Sequence, residues 1–195
     1  MGRPPKIDLR DNILNAASEK FFRLGCSRVS IDELVSDLHT SKSAIYKFFS
    51  SKEDLINAIM IHFNQYINTN IGLIVKDKSI SFQKKLETIM VFTTKVLQKI
   101  SKDFLDDLKF NFPNIWKRYL EMREERLNNL YLEFFKQGIK QGNIRKDIPI
   151  NLILIVYTKL TEIVVDPDNR DSIGISIKEA YEMITGLFLE GASPK

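Results

Sequence analysis

The chain has 195 residues, of which 44% are hydrophobic and 28% are charged, so it can bury a core and does not have the composition of a disordered chain. Its net charge of +4 is too small to indicate a nucleic acid or an anionic membrane as partner by itself. One cysteine and two histidines exclude an internal disulfide framework and do not make a structural zinc site. We therefore expect a cytoplasmic protein with no metal and no cofactor.

No segment has the pattern of a secretion signal or a membrane span. The opening stretch MGRPPKIDLRD has no apolar core, which a signal peptide requires. The most apolar segment, 148–165, is interrupted by polar residues and falls short of the roughly 20 apolar residues that span a bilayer. We expect this segment to be buried against protein and the chain to have no membrane partner.

Apolar residues recur at every third or fourth position, and no segment alternates with the period of a strand, so the sequence predicts an all-α fold. Short helices are expected in the first third and longer ones after it. The first four are expected at about 8–24, 30–38, 41–49 and from 50 onward, and the later ones at about 82–100, 103–110, 113–141, 150–165 and 176–189.

Local signals mark several helix ends. Gly25 follows the first helix at the position where a left-handed residue ends a helix. Ser30 and Glu33 have the spacing of a capping box, and Ser41 can cap the third helix. The residues at 166–169 favour a loop.

The second and third helices are joined by a tight turn and have the lengths of a helix-turn-helix, in which the second helix enters the major groove of DNA. The charges agree with that interpretation, because the segment 39–52 contains Lys42, Lys47 and Lys52 and no acidic residue. The chain start adds a basic arm suited to phosphates or to a minor groove. Its cations are Arg3, Lys6 and Arg10.

This region resembles the TetR family of bacterial repressors. The similarity covers about 9–60 and is strongest in the run TSKSAIYKFF from Thr40 to Phe49, followed by the sequence SKE. A glycine of the family in the helix-turn-helix turn is His39 here, and a second glycine is Ser43. Histidine tolerates the left-handed conformation better than most residues, whereas Ser43 changes the surface presented to the bases.

The resemblance implies a helix-turn-helix DNA-binding domain with a basic arm at 1–52. A fourth helix joins it to a helical domain at 53–195, which binds a small molecule and dimerises through its last two helices. The implied protein is a ligand-responsive repressor that binds a palindromic operator as a homodimer. Ligand binding would change the separation of the two DNA-reading ends and release the DNA.

Residues of the third helix are the candidate DNA contacts. Lys42, Ser43 and Ala44 are expected to face base edges. The residues expected to contact phosphates or to flank that surface are Ser30, Thr40, Ser41, Tyr46, Lys47 and Lys52. Tyr46 could instead be a core aromatic and the lysines ordinary solvated charges. We favour DNA contact, because neighbouring apolar residues already supply the inner face of the helix.

The later helices carry candidate effector and dimer residues. An apolar or aromatic effector with at most one anionic group would fit walls formed by Phe92, Phe112, Trp116, Tyr119 and Arg123. Arg123 could instead lie in solvent near Arg126 or pair with a neighbouring glutamate. The residues expected in a four-helix dimer interface are Leu152, Ile155, Val156, Ile177, Tyr181, Ile184 and Phe188.

Other functions are less compatible with the sequence. The phosphate-binding, dinucleotide-binding, zinc-protease and di-iron motifs of enzymes are absent from it, so we expect no enzyme. A DNA-packaging protein would need a larger basic excess. The alternative is a helical interaction protein of the same fold that has lost DNA binding, compatible with the changes at His39 and Ser43.

Overall fold

The computed structural model describes residues 9–165, 169, 172 and 174–193, apart from the side chains of Glu162, Val165 and Ile177. Regular structure in this part of the chain is helical and contains no strand, so the predicted all-α fold is confirmed. The arm cations Arg3 and Lys6, and residues 166–168 of the loop expected at 166–169, lie outside the described residues. No described helix is both long and apolar enough to cross a membrane.

The helices follow one another closely along the chain. The first four are α1 (Leu9–Leu24), α2 (Ile31–Asp37), α3 (Lys42–Tyr46) and α4 (Lys52–Lys76). The later ones are α5 (Phe82–Leu97), α6 (Lys102–Asp106), α7 (Pro113–Arg126), α8 (Leu132–Lys140), α9 (Ile150–Val165) and α10 (Ile177–Ala192).

The helix ends predicted from local signals are confirmed in most cases. Gly25 has a φ of +89°, Ser30 and Glu33 form a capping box, and Ser41 caps α3. The third helix is shorter than predicted and ends at Tyr46, although the backbone nitrogen of Phe49 still donates to Ile45 at 3.1 Å. The apolar period therefore continues through a turn beyond the regular helix.

Two π-helical segments, Asp107–Asn111 and Leu127–Tyr131, were not predicted. A π turn holds one residue more than an α turn, and so small a change leaves the apolar spacing almost the same. The second segment lies between α7 and α8, so the helix predicted at 113–141 is continuous but has a π turn in its middle.

The chain packs into two compact units. Of the described residues, those at 9–63 and 100–119 form the first unit, and those at 64–99 and from 120 onward form the second. Both units include part of α4 and part of α7. The division of function predicted between 52 and 53 falls inside the first unit and remains a prediction.

The first unit is built around α1. Phe21 and Ile13 are fully buried, and Phe22 packs edge to face on Phe104 with ring centroids 4.9 Å apart. The backbone nitrogen of Ser101 donates to the carbonyl oxygen of Phe22 at 2.7 Å. The segment after residue 100 is therefore part of the same core as the first helices, and burying these side chains stabilises the position of α1.

The second unit has an aromatic core. Phe82 stacks on Phe134 at 4.5 Å between centroids, and Gly138 gives that ring room, because a Cβ there would lie 2.5 Å from Phe82 Cε2. The buried Lys85 side chain donates to the carbonyl oxygen of Val75 at 2.7 Å. Val75 lies in the last turn of α4, where unpaired carbonyl groups favour a nearby cation.

Candidate nucleic-acid interface

The turn between α2 and α3 has the geometry of a helix-turn-helix. His39 occupies the left-handed region with a φ of +47°, as expected for the residue that replaces a glycine of the family. The backbone nitrogen of Thr40 donates to the carbonyl oxygen of Val35 at 3.1 Å, which closes the end of α2. Thr40 is half-buried, so its side chain is only partly open to a ligand.

One side of α3 packs inward and the other faces out. Ile45 is fully buried and Phe49 nearly so, whereas Tyr46 is 46% exposed. Lys42, Ser43 and Lys47 are exposed and Ala44 is half-buried. Tyr46 is therefore not the core aromatic of the alternative interpretation, and five predicted residues share a surface of hydroxyl, ammonium and methyl groups that suits DNA.

The serines predicted to contact DNA act as helix caps. Ser30 Oγ accepts from the backbone nitrogen of Glu33 at 3.2 Å, and Ser30 N donates to the Glu33 carboxylate at 2.7 Å. The bond from Ser30 N, with a second from Ser30 Oγ to the same carboxylate oxygen at 3.1 Å, lowers the pKa of Glu33. Ser41 Oγ accepts from Ala44 N at 3.2 Å and lies 2.9 Å from Ser43 Oγ. Caps of this kind fix where each helix begins.

Lys42 is paired within the chain. Its Nζ lies 2.8 Å from Asp32 Oδ1, and both side chains are more than half exposed. The bond to Asp32 raises the pKa of Lys42, so its ammonium charge is secure. The pair was not predicted, because its members are ten positions apart on different helices.

Two further basic residues differ in their surroundings. Lys52 is half-buried at the start of α4, where a cation is disfavoured unless an anion lies near. Arg10, assigned to the basic arm, lies in the first turn of α1 with its guanidinium 5.6 Å from the Phe49 ring centroid. Arg10 therefore contacts the core as well as the surface.

Cys26 is a small group in the core of the first unit. It is fully buried, and burial raises the pKa of its thiol to about 12. The thiol is therefore a packing group rather than a nucleophile. No cluster of three histidine, cysteine or acidic side chains that could hold a metal occurs in the described part of the chain.

The second unit has a surface groove of about 650 Å³, a size typical of ligand sites. It lies between α9 and the end of α7 with the π-helical segment that follows it. It combines apolar, amide and charged groups. Its lining residues are Leu120, Arg123, Glu124, Leu127, Asn128, Asn151, Leu154, Ile155, Thr158 and Lys159. Polar groups spaced along an apolar wall can orient an amphipathic molecule.

Of the five residues predicted to bind an effector, only Arg123 lines this groove. Its side chain is buried and donates to Thr161 Oγ1 at 3.2 Å, so the interpretation of Arg123 as a solvated surface residue is wrong. Phe92 is in the second unit, where its ring lies 5.7 Å from that of Tyr66. The other three, Phe112, Trp116 and Tyr119, belong to the first unit, because the start of α7 packs there.

A cluster of three buried tyrosines was missed by the sequence analysis. Tyr131, Tyr157 and Tyr181 come from three different elements, and burial raises the pKa of each. The Tyr157 hydroxyl lies beside the other two, yet it makes no hydrogen bond of normal geometry within the described residues. A buried hydroxyl without a well-formed hydrogen bond is costly.

The predicted dimer residues divide by exposure. Leu152, Ile155 and Val156 on α9 are 48%, 58% and 41% exposed. Tyr181 and Phe188 are only 3% and 5% exposed, so their assignment to an interface is wrong, because both pack inside one chain. Ile184 is half-buried, and the Ile177 side chain lies outside the described residues. The large apolar side chains that α10 exposes are Met183 and Leu187.

Comparison with known proteins places the N-terminal region in a family. Residues 13–59 match the family model described as bacterial regulatory proteins, tetR family. An uncharacterized HTH-type transcriptional regulator of Mycobacterium tuberculosis is 32% identical over 60 residues, which are 31% of this chain and 25% of that protein. The matched stretch therefore spans about a quarter of the length of that relative.

Solved structures resemble nearly the whole chain. A TetR-family transcriptional regulator from Agrobacterium tumefaciens has a TM-score of 0.73 at 15% identity, over 95% of this chain and 97% of that one. SmeT, the repressor of a multidrug efflux pump of Stenotrophomonas maltophilia, has a TM-score of 0.72 at 14% identity, over 96% and 92%. At these identities the likeness establishes the fold.

Proposed function

We propose, from the premise that this chain belongs to the TetR family of bacterial regulatory proteins by its residues 13–59, that it represses transcription as a homodimer on a palindromic operator. As a member of that family it is a DNA-binding transcriptional regulator and not an enzyme. The palindromic operator, the repressor role, the dimer and the response to a ligand are the parts that we propose.

The observation that carries the proposal is the outer face of α3. Lys42, Ser43, Tyr46 and Lys47 are exposed side by side, while Ile45 anchors the helix in the core. No acidic residue lies on the chain between residues 39 and 52. Such a face can donate to base edges and to phosphates, whereas a protein that had lost DNA binding would have no reason to keep it.

The first experiment identifies the operator. Full-length protein is incubated with a pool of random-sequence duplexes, and bound DNA is recovered and sequenced over several rounds. We expect an enriched palindrome whose half-sites are about one helical turn apart. Recovery of no bound DNA would support the alternative of a helical interaction protein that has lost DNA binding, and bound DNA with no enriched sequence would contradict the palindromic operator.

The homodimer is supported by exposed apolar groups on α9 and α10. Ile155 is 58% exposed, Met183 is 60% and Leu187 is 65%, and large apolar side chains rarely gather on a surface that stays in water. Pairing the same two helices of two copies would bury them in a self-complementary interface. Each copy would then bring one α3 to one half-site.

The ligand response is supported by the groove beside Arg123 and by the three buried tyrosines. We propose an apolar or aromatic effector with at most one anionic or hydrogen-bonding group, which Arg123 or a tyrosine hydroxyl would meet. The effector would bind one of two conformations more tightly and thereby lower operator affinity.

A compound screen tests the ligand response. Compounds are scored for release of the enriched duplex and, by calorimetry, for direct binding to the protein. We expect an inducer to do both, and Arg123→Ala to weaken its effect while operator binding without it stays intact. If no compound weakens operator binding, the ligand response is wrong and the DNA-binding proposal stands.

A further inference from the structure

The pair between Asp32 on α2 and Lys42 on α3 lies on the face proposed to meet DNA. We propose that Asp32 is a specificity-determining residue, which holds the Lys42 ammonium toward base acceptors and away from phosphates. The inference rests on the proposed function, because it concerns the choice between an operator and other DNA.

The pair contributes little to holding the two helices together. Its side chains are 70% exposed for Asp32 and 56% exposed for Lys42, and an ion pair so open to water contributes little to stability. Leu34 of α2 and Ile45 of α3 are both fully buried, and they join the helices far more strongly. The exposed pair is therefore free to serve another purpose.

The other carboxylates of α2 have different partners. Glu33 is bound in the capping box with Ser30, and Asp37 lies 2.7 Å from Lys20 of α1. Asp32 is thus the α2 carboxylate that pairs with a cation of α3. Its negative charge stands beside the lysine that is expected to read a base.

The chemistry of an ammonium group explains what Asp32 can do. An ammonium has three donors, so Lys42 can donate to Asp32 and still offer two to the O6 and N7 acceptors of guanine. Without a partner, the flexible lysine stem would also reach phosphates. A carboxylate beside it disfavours that alternative, since Asp32 and a phosphate repel each other.

Asp32 should therefore act differently on the two kinds of DNA. Non-specific binding consists of phosphate contacts. If Lys42 contacts a phosphate, the Asp32 carboxylate is brought close to the negatively charged DNA backbone, which opposes that contact. Operator binding keeps the pair and adds the base contact. The carboxylate widens the difference between the two affinities and so increases specificity.

The experiment compares two DNA duplexes over a range of salt concentrations. One is the palindrome enriched from the random pool, and the other is the same duplex with scrambled half-sites. Full-length protein and its Asp32→Asn variant are titrated against both. We expect the variant to lose roughly fivefold or more of the operator preference and to gain about one unit in its non-specific salt slope.

Asp37→Asn is the matched control. It removes a carboxylate from the same helix, with a side chain that is 52% exposed and paired with Lys20. If only net charge matters, Asp32→Asn and Asp37→Asn will each strengthen both affinities by similar factors and leave the preference unchanged. In a Lys42→Ala background, Asp32→Asn should no longer change the preference.

The outcomes separate this inference from the proposed function. The role of Asp32 alone is overturned if a palindrome is enriched but Asp32→Asn keeps the operator preference unchanged. It is also overturned if Asp32→Asn lowers that preference equally in the Lys42→Ala background. A pool that yields no enriched sequence overturns the proposed function instead. Unfolding curves of the variants, and of Asp32→Ala as a second replacement, establish that any change reflects DNA reading and not folding.

Discussion

The carboxylate of Asp107 accepts hydrogen bonds from both the backbone nitrogen and the hydroxyl of Ser27, at 2.8 and 2.6 Å. Asn111 adds a third at 2.7 Å. Gly25 allows the approach, because a Cβ at that position would lie 2.8 Å from Asp107 Oδ2. The end of α1 and the first π-helical segment are joined by one charged group within the first unit.

Asp107→Asn should lower the free energy of unfolding by about 1 to 2 kcal/mol, because charge-assisted bonds are lost. Burial opposes ionisation of Asp107, but its hydrogen bonds to Ser27 outweigh that and lower its pKa. A lowered pKa gives stability that is complete above the unfolded value and is lost as pH falls through the folded value.

Denaturant unfolding at several pH values measures this effect. The difference in the free energy of unfolding between the unmodified protein and Asp107→Asn should be largest at neutral pH and decrease below about pH 4. Asp106→Asn is the control, because Asp106 is the adjacent residue and its carboxylate forms a long ion pair, 3.7 Å from the Nζ of the exposed Lys102. A difference that stays constant down to pH 2 would contradict the role of the charge.

Cys26 should react slowly with iodoacetamide in the native protein. Because the pKa of its thiol rises from 9.0 to about 12, its thiolate fraction near pH 8 falls about a thousandfold, and burial also blocks access. Mass spectrometry can follow the single cysteine with and without urea. Equal rates in both conditions would show that the core around α1 opens readily.

Lys47→Ala and Lys52→Ala should weaken DNA binding by similar factors on different sequences. Each loss of a phosphate contact is expected to reduce the salt slope by about one. Fluorescence anisotropy at several salt concentrations provides the slopes. Lys136→Ala, an exposed lysine of the second unit, is the control, and unchanged slopes in both test variants would place these lysines away from phosphates.

Leu187→Glu should produce a monomer that remains folded, because Leu187 is 65% exposed. Tyr181→Glu should instead unfold the second unit, since an unpaired carboxylate would be buried. Sedimentation and circular dichroism distinguish the two results, with Glu190→Ala as an exposed control on the same helix. Operator binding should weaken greatly in the monomer, because two half-sites are read together. A dimer that survives Leu187→Glu would place the interface elsewhere.

Helix ends near the DNA surface were predictable from sequence because they depend on neighbouring residues. A capping box needs residues three apart, as with Ser30 and Glu33, and a left-handed stop needs only Gly25. The pairing of Asp32 with Lys42 depends on how one helix turns back on another. No local pattern records that geometry, so the pair was not predicted.

The face of α10 that packs inward was also beyond the sequence. Tyr181, Ile184 and Phe188 share one side of the helix, whereas Met183 and Leu187 share another, and both sides are apolar. Periodicity identifies such a helix but does not tell which side meets its own chain. The predicted interface on α10 therefore used the side that forms the core.

The packing of α1 against the segment after residue 100 has a consequence for synthesis of the chain. The first unit joins residues 9–63 to residues 100–119, and the ring of Phe22 packs against that of Phe104. During translation α3 is made early, but the core of the first unit is complete only when residues 100–119 have emerged from the ribosome. In nascent chains that end before residue 100, α3 would pack on an incomplete core. We therefore expect only chains that extend beyond this segment to bind operator DNA.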